Sequence, residues 1–256
     1  MKKFILFFVL AVAGFKVKAQ EGYNYYEWGV GGGIGYGRAY ADTKRQDWHA
    51  IYNLNLAYNF NPYVPVALEY QFGTLSGGGL TPDKDAYGRM YKNAYKALLL
   101  HADVQLGSFI DYADNGFLNA VKNFYVGTGI GAISNNMKFI QRGNPPAFSD
   151  PSNSYYHGPL GTKEGFQGKD KSINLVLPLR FGYEFKIYDS YNQVGYTITL
   201  GYEHNYTFGE GLDGYDDPSA KYKNNAPDQY AHFMIGFRYN FGNTVSYRKL
   251  IRDSGF

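Results

Sequence analysis

Seven ionisable side chains could carry chemistry in this sequence, because each falls on the polar side of a segment in which polar and hydrophobic residues alternate. They are Glu69, His101, Asp103, Arg180, Glu184, Glu203 and Arg238. The set contains four carboxylates, two guanidiniums and one imidazole. Enclosed charges must pair or be hydrogen-bonded, because one left unpaired costs several kcal/mol. The set could therefore fill an interior with salt bridges, or it could line a narrow path for ions.

A hydrolase or acyl-transfer site would need a Ser or a water activated by a His that a carboxylate orients. The five histidines are His49, His101, His157, His204 and His232. None lies in a His-x-Ser pattern, although His204 follows Glu203 and His157 lies near Ser154. Because neither spacing is diagnostic, the sequence predicts no catalytic residue and no cofactor.

An acidic stretch near residue 213 could bind Ca²⁺ through carboxylate oxygens. Its members are Glu210, Asp213, Asp216 and Asp217. The stretch does not fit the EF-hand loop pattern, so a solvated acidic loop is the expectation and no metal site is predicted. Loop tyrosines could form a recognition surface or pack the loops together, namely Tyr155, Tyr156, Tyr215 and Tyr222.

The elements that must position these residues have a period of two. In segment 230–241, one side of the chain carries Phe233, Ile235, Phe237, Tyr239 and Phe241. The other side is polar or small. Seven earlier segments show the same alternation: 27–40, 48–60, 64–72, 91–107, 124–134, 172–186 and 194–206. The pattern therefore predicts eight β-strands.

The composition indicates that these strands form the wall of a membrane barrel. Aromatic residues make up 19% of the chain, there are 32 glycines, and the mean hydropathy is −0.40. In strands that face lipid on one side, only every second residue is hydrophobic, so the whole chain can still be polar on average. Because there is no cysteine, we expect no disulfide and no lipid-modified cysteine.

The first strand carries five glycines on its polar side: Gly29, Gly31, Gly33, Gly35 and Gly37. A phosphate-binding loop is not indicated, because no Lys-Ser or Lys-Thr pair follows. We expect these glycines to leave room for neighbouring side chains inside a narrow barrel.

The second strand has aromatic residues at both ends and aliphatic residues between them. This profile is typical of a wall that crosses a membrane, with an aromatic girdle at each interface. The predicted girdle residues are Trp28, Trp48, Tyr58 and Phe60.

The N-terminus reads as a secretory signal peptide, with Lys2 and Lys3, an apolar run over 4–13 and a cut after Ala19. We therefore expect three parts: a cleaved peptide 1–19, a barrel 20–242 and a short periplasmic tail 243–256. Cleavage would leave 21 basic and 22 acidic residues. That balance gives no electrostatic footprint for nucleic acid.

Connection length separates the two ends of the barrel. The connections after the third, fifth and seventh strands are long, whereas those after the second and sixth are tight. Long loops are extracellular in such barrels, so both termini should be periplasmic. The connection 108–123 is longer than a typical periplasmic turn and receives no assignment.

These features resemble small outer-membrane barrels of the OmpA/OmpX type, down to the last strand ending Tyr239-Asn240-Phe241. In that group the terminal aromatic is part of the signal read by the barrel-insertion machinery, which implies this role for Tyr239 and Phe241. Here a tail follows Phe241. The peptidoglycan-binding domain of larger OmpA-like proteins is missing, and the composition resembles barrels of Bacteroidota.

The expected fold is all-β, an eight-stranded antiparallel up-and-down transmembrane β-barrel with long extracellular loops, in the outer membrane of a Gram-negative bacterium. We expect a non-enzymatic protein that displays its loops in a structural, adhesive or partner-binding role, including that of accessory subunit. A lipid A-modifying enzyme and a narrow pore are the alternatives. The expected partners are outer-membrane lipid and lipopolysaccharide, the insertion machinery and another outer-membrane protein, without nucleic acid.

Overall fold

A computed structural model describes residues 23–81, 83–112, 115–142, 167–216 and 227–247. The predicted signal peptide, residues 248–256 of the predicted tail, and His157, Asp217, Tyr155, Tyr156 and Tyr222 lie outside these ranges. Within them, eight long strands follow one another: β1 (Tyr23–Tyr40), β2 (His49–Asn61), β3 (Val64–Gly78), β4 (Met90–Gln105), β5 (Phe124–Ile140), β6 (Lys171–Tyr188), β7 (Val194–Phe208) and β8 (Gln229–Tyr247).

The eight strands close into a barrel in which each strand pairs antiparallel with its neighbours in the sequence. β8 pairs with β1, and this pairing completes the ring. When the paired residues are followed around the ring from Ile34, one direction ends at Ile173 and the other at Tyr183, both on β6. The two end points differ by ten residues, and this difference is the stagger of the barrel. Eight strands with this stagger tilt by about 40° and enclose a backbone radius of about 8 Å, just enough for side chains. The predicted fold is confirmed.

The two faces of the wall differ as the alternation predicts. Aliphatic side chains in the middle of the strands point outward and are exposed, among them Val30, Ile34, Leu54, Leu98 and Ile130. Polar side chains of the opposite parity point inward and are buried, among them Asn53, Gln71 and Thr197. A continuous exposed apolar belt of this kind is suited to lipid and not to water.

The closing strand is longer than the alternation predicts. β8 continues past Phe241 to Tyr247, and its last residues pair with the start of β1, from Tyr26 opposite Thr244 to Tyr23 opposite Tyr247. Residues 243–247, which were expected to belong to a tail, are therefore part of the wall. A bulge between Tyr26 and Trp28 separates this extension from the rest of the pairing.

The unassigned connection between β4 and β5 forms two short helical turns. A 3₁₀ turn covers Leu106–Ser108, and helix α1 covers Gly116–Val121. Asn115 caps α1, because its side-chain oxygen accepts hydrogen bonds from the backbone N–H groups of Phe117 (3.0 Å) and Leu118 (3.1 Å). No helix of the described residues is both long and apolar enough to cross a membrane.

Hydrophobic packing inside the barrel is concentrated near the end opposite the termini, which we call the loop end. The end that carries the termini is called the terminal end. The buried cluster draws on seven strands and on the β1–β2 and β7–β8 connections: Ala39, Ala41, Ile51, Leu75, Tyr91, Tyr95, Ala97, Leu99, Ile133, Val176, Leu212, Tyr215 and Tyr230. The middle of the interior is polar.

Candidate functional site

Arg180 on β6 lies at the centre of the polar interior. Its Nη1 donates to Glu203 Oε2 at 2.8 Å and to Glu69 Oε2 at 3.3 Å, and its Nε lies 3.2 Å from Asp103 Oδ1. These carboxylates come from β7, β3 and β4. The barrel thus brings Arg180 into contact with Glu69, which lies 111 residues away in the chain.

His101 completes this group, which we call the Arg180 cluster (Arg180, Glu69, His101, Asp103 and Glu203). Its Nε2 lies 3.0 Å from Arg180 Nη1 and 3.7 Å from Glu69 Oε2, and its Nδ1 lies 3.6 Å from Asp103 Oδ1. All five side chains are buried. A single guanidinium holds three carboxylates, so the cluster depends on further donors.

Those donors are neutral side chains that sequence reasoning did not single out. Gln71 Nε2 donates at 2.6 Å to both Glu69 Oε1 and Glu203 Oε1, and Asn205 Nδ2 donates to Glu203 Oε1 at 2.8 Å. Tyr230 OH donates to Gln71 Oε1 at 3.1 Å. The inward parity of these residues was the available signal.

The other two predicted residues form a separate pair nearer the terminal end. Arg238 Nη2 donates to Glu184 Oε1 at 2.9 Å, and Gln105 Nε2 donates to Glu184 Oε2 at 2.7 Å. Lys186, another residue that sequence reasoning missed, donates to Gln105 Oε1 and to Pro62 O, both at 2.6 Å. Salt bridges and amides thus continue along the interior.

Little space remains between the two groups. A cavity of about 30 Å³ is lined by both groups, including Glu69, Asp103, Arg180, Glu184 and Arg238. That volume accommodates one or two water molecules. The arrangement can fix the strands relative to one another, since each arginine–carboxylate pair joins two different strands.

The terminal end is covered by aromatic and basic side chains from the turns and from β6. Tyr63 and Tyr112 are hydrogen-bonded through their hydroxyl groups. Lys186 Nζ lies 4.6 Å from the ring centre of Tyr63, and Lys122 Nζ lies 4.7 Å from that of Tyr112. These cation–π contacts give the β4–β5 connection a structural role as a cover over the interior.

The loop end is covered by residues 209–216, which we call the loop cap. Leu212 and Tyr215 are buried in the hydrophobic cluster. Tyr215 OH donates to Gln141 O at 2.7 Å and accepts from Met90 N at 3.0 Å, and Asn93 Nδ2 donates to Leu212 O at 2.9 Å. Tyr215 therefore packs the loop and does not belong to an exposed recognition surface.

The loop cap carries acidic groups that are buried, contrary to the expected solvated loop. Asp213 is fully buried, and its Oδ2 accepts a hydrogen bond from Asp42 N at 2.9 Å. Burial and the negative charge of Asp42 raise the pKa of Asp213 to about 7. Burial and the charge of Asp213 raise the pKa of Asp228 well above its usual range. Glu210 is half-buried, and burial followed by the charge of Asp42 raises its pKa to about 7.

The predicted girdle residues lie on the outer face near both ends. Trp28 meets Tyr58 edge to face with ring centres 5.1 Å apart, and Tyr58 meets Phe60 at the same distance near the terminal end. Near the loop end, Trp48 stacks on Tyr36 with ring centres 5.5 Å apart. Aromatic contacts thus occur at both edges of the apolar belt.

Tyr239 and Phe241 lie on the outer face of β8 near the terminal end. Their ring centres are 6.0 Å apart, and Phe241 pairs with Trp28. Both are partly exposed and continue the aromatic band. Their role in assembly stays a prediction.

The described histidines form no catalytic triad. His204 lies among girdle aromatics, with Nε2 2.7 Å from Gln229 Oε1 and Nδ1 3.2 Å from Tyr202 OH. His49 Nε2 lies 2.7 Å from Ser76 Oγ, a contact that the sequence did not predict. The neighbouring carboxylate of Asp47 accepts from Ser76 at 3.3 Å and does not orient the imidazole. Neither histidine therefore has the arrangement that activates a serine.

The closed ring, the apolar outer belt and the polar filled interior together define the class: small eight-stranded barrels of the outer-membrane type. No protein-family model matches the sequence, and no curated protein matches it. Among solved structures, the chain is similar to Ail, the attachment invasion locus protein of Yersinia pestis, solved in complex with the heparin analogue sucrose octasulfate. Identity is 13% over 87% of this chain and 100% of that one, with a TM-score of 0.43.

Two further solved barrels are similar at the same level. OprG from Pseudomonas aeruginosa is 14% identical over 87% of this chain and 99% of that one, with a TM-score of 0.37. CarO from Acinetobacter baumannii is 14% identical over 82% and 97%, with a TM-score of 0.34. These likenesses concern fold alone, and the fold assigned above rests on the strand pairing.

Proposed function

We propose that this chain is a non-enzymatic outer-membrane barrel whose filled interior makes it a rigid scaffold for the display of its loops. The observation that carries the proposal is the Arg180 cluster, which joins four strands across the interior and leaves room for only one or two waters in the adjoining cavity. Binding then falls to the outer wall and the loops, in an adhesive, structural or accessory-subunit role.

The proposed orientation places both termini in the periplasm and the loop end outside the cell. Connection length supports it: 141–170 and 209–228 are long, whereas 189–193 is a tight turn. Long loops on one side and short turns on the other are the usual arrangement of such barrels.

Lipopolysaccharide is the proposed lipid partner at the loop end of the wall. Arg38 lies there among aromatics, with its Cζ 4.9 Å from the ring centre of Tyr40 and 5.3 Å from that of Trp48. The side chain of Arg38 is partly exposed on the outer face. A guanidinium at the membrane interface is suited to a lipid phosphate.

The first test is extraction of the tagged full chain in mild detergent, followed by mass spectrometry of proteins and lipids and by conductance in planar bilayers. We expect ordinary lipopolysaccharide and no steady current steps, with or without a stoichiometric outer-membrane partner. Current steps that change in Glu69→Gln would replace the scaffold with a pore. Modified lipid A that disappears in Ser76→Ala would replace it with an enzyme.

A further inference from the structure

Three buried aspartates meet at the loop end of the barrel. Asp42 follows β1, Asp213 lies in the loop cap, and Asp228 immediately precedes β8. One carboxylate oxygen from each lies within 4.8 Å of the other two. All three residues have 0% of their surface exposed. Because water does not reach them, their negative charge needs compensation from within the site.

Protein cations supply only part of that compensation. Arg89 Nη1 lies 3.6 Å from Asp42 Oδ2, but Arg89 Nε also pairs with Asp85 Oδ2 at 3.3 Å. In the part of the chain that the structure describes, no Lys or Arg forms a salt bridge with Asp213 or Asp228. Among the described residues, one guanidinium beside four carboxylates leaves an excess of negative charge.

Asp228 adds an independent sign of a ligand. Its Oδ2 accepts hydrogen bonds from Gly211 N and Leu212 N, both at 2.9 Å. Its Oδ1 is buried and accepts no hydrogen bond from any residue within the described ranges. A buried carboxylate oxygen without a donor is rare in folded proteins, and either a bound cation or a shared proton would satisfy it.

We propose that Asp42, Asp213 and Asp228 bind a divalent cation that clamps the loop cap to the end of β1, and that Ca²⁺ is the best match. Ca²⁺ takes oxygen ligands at about 2.4 Å, so two oxygens on opposite sides of the ion lie about 4.8 Å apart. The group offers carboxylates without His or Cys, which favours Ca²⁺ over Zn²⁺. Backbone carbonyls and waters would complete its coordination.

The binding test uses the full chain, folded in detergent, stripped with EDTA and titrated calorimetrically with CaCl₂ at pH 8. We expect one Ca²⁺ per barrel with a Kd of about 10⁻⁵ to 10⁻³ M, and weaker binding of Mg²⁺. Asp213→Asn and Asp228→Asn should each weaken Ca²⁺ binding by at least about tenfold, because each removes a charged ligand. The matched control is Asp170→Asn, which removes an exposed carboxylate at the same end and should bind as the wild type does.

A second readout needs no variant. Lys221 and Lys223 lie between Asp213 and Asp228 in the sequence, so trypsin can report on the segment that the cation would clamp. We expect Ca²⁺ to slow cleavage after these lysines severalfold relative to EDTA. If the wild type binds no Ca²⁺ at pH 8, shared protons compensate the aspartates and the proposal is overturned. Equal affinity in the folded Asn variants, or cleavage that ignores Ca²⁺, would also overturn it.

Discussion

At the scale of single residues, Arg180 determines how the polar interior is organised. It joins β6 to β3, β4 and β7 through three carboxylates that would otherwise be buried without a counter-charge. The desolvation penalty for burying these charges offsets much of the Coulombic attraction between them. The main effect of the cluster is therefore to favour one arrangement of the strands over others.

We therefore expect Arg180→Met to be strongly destabilising, because it keeps the side-chain volume and strands three carboxylates. The free energy of unfolding should fall by about 3–5 kcal/mol. Urea unfolding in lipid vesicles, followed by the fluorescence of Trp28 and Trp48, measures the loss. Arg45→Met is the matched control, since its salt bridge to Asp47 is exposed and should contribute about 1 kcal/mol or less. Equal losses in both variants would contradict a special role for Arg180.

The charged members of the interior could be chosen from the sequence because they occupy the polar side of alternating segments. The sequence does not predict which of these side chains contact one another, because contacts across the interior depend on the ten-residue stagger of the closed ring. The roles of Gln71, Asn205 and Tyr230 were missed for the same reason. The role of a neutral inward side chain is evident only when its hydrogen-bond partner is known.

The loop cap depends on one buried hydroxyl group, that of Tyr215. Tyr215→Phe leaves Met90 N and Gln141 O without their partner and should cost about 1–3 kcal/mol of local stability. Faster hydrogen exchange at the Met90 amide would report the loss. Tyr191→Phe, at an exposed tyrosine of the β6–β7 turn, should leave that exchange rate unchanged.

At the scale of elements, β1 shows why glycines occupy the inner side of a strand. A Cβ added at Gly31 would lie 2.5 Å from Phe237 O and 3.0 Å from Arg238 Cα, both on β8. Backbone atoms of a paired strand cannot move aside without opening the pairing. The sequence predicted small inward residues here, and the physical reason is close approach to β8 as well as a narrow interior.

Gly31→Ala should accordingly lower the free energy of unfolding by about 1–3 kcal/mol, as overpacking does elsewhere. Gly116→Ala is the control, because nothing lies within 4 Å of a Cβ there. As Gly116 begins α1, the control should be neutral or stabilising by up to about 1 kcal/mol. A Gly31→Ala barrel as stable as the Gly116→Ala barrel would show that β1 and β8 have room to separate.

The β4–β5 connection marks the limit of sequence reasoning for elements. Alternation ends at Gln105, and nothing local indicates where the chain goes next. Its position is fixed by contacts with distant residues on β6, such as Tyr183 OH donating to Ala120 O at 2.8 Å and Glu184 N donating to Asn123 O at 3.2 Å. Such contacts exist only after β6 has paired with β5.

For the whole molecule, closure depends on the pairing of the first and last strands, which lie farthest apart in the chain. The β1–β8 pairing extends from Tyr40 opposite Gln229 to Tyr23 opposite Tyr247. Residues 243–247 therefore lengthen the β1–β8 pairing beyond Phe241, the residue that resemblance marks as an assembly signal. The contribution of residues 243–247 to stability can therefore be tested separately from the role of Phe241 in assembly.

Truncation after Phe241 makes that aromatic the last residue and removes the pairing partners of residues 23–26. We expect the shortened chain to close, to unfold at lower urea concentration, and to be cut by chymotrypsin near Tyr25 and Tyr26, because their strand has lost its partner. Phe241→Ala in the full-length chain should do the opposite, reducing the amount inserted in cells while changing the urea midpoint little. If truncation instead abolished insertion and Phe241→Ala did not affect it, the assembly signal would lie beyond Phe241.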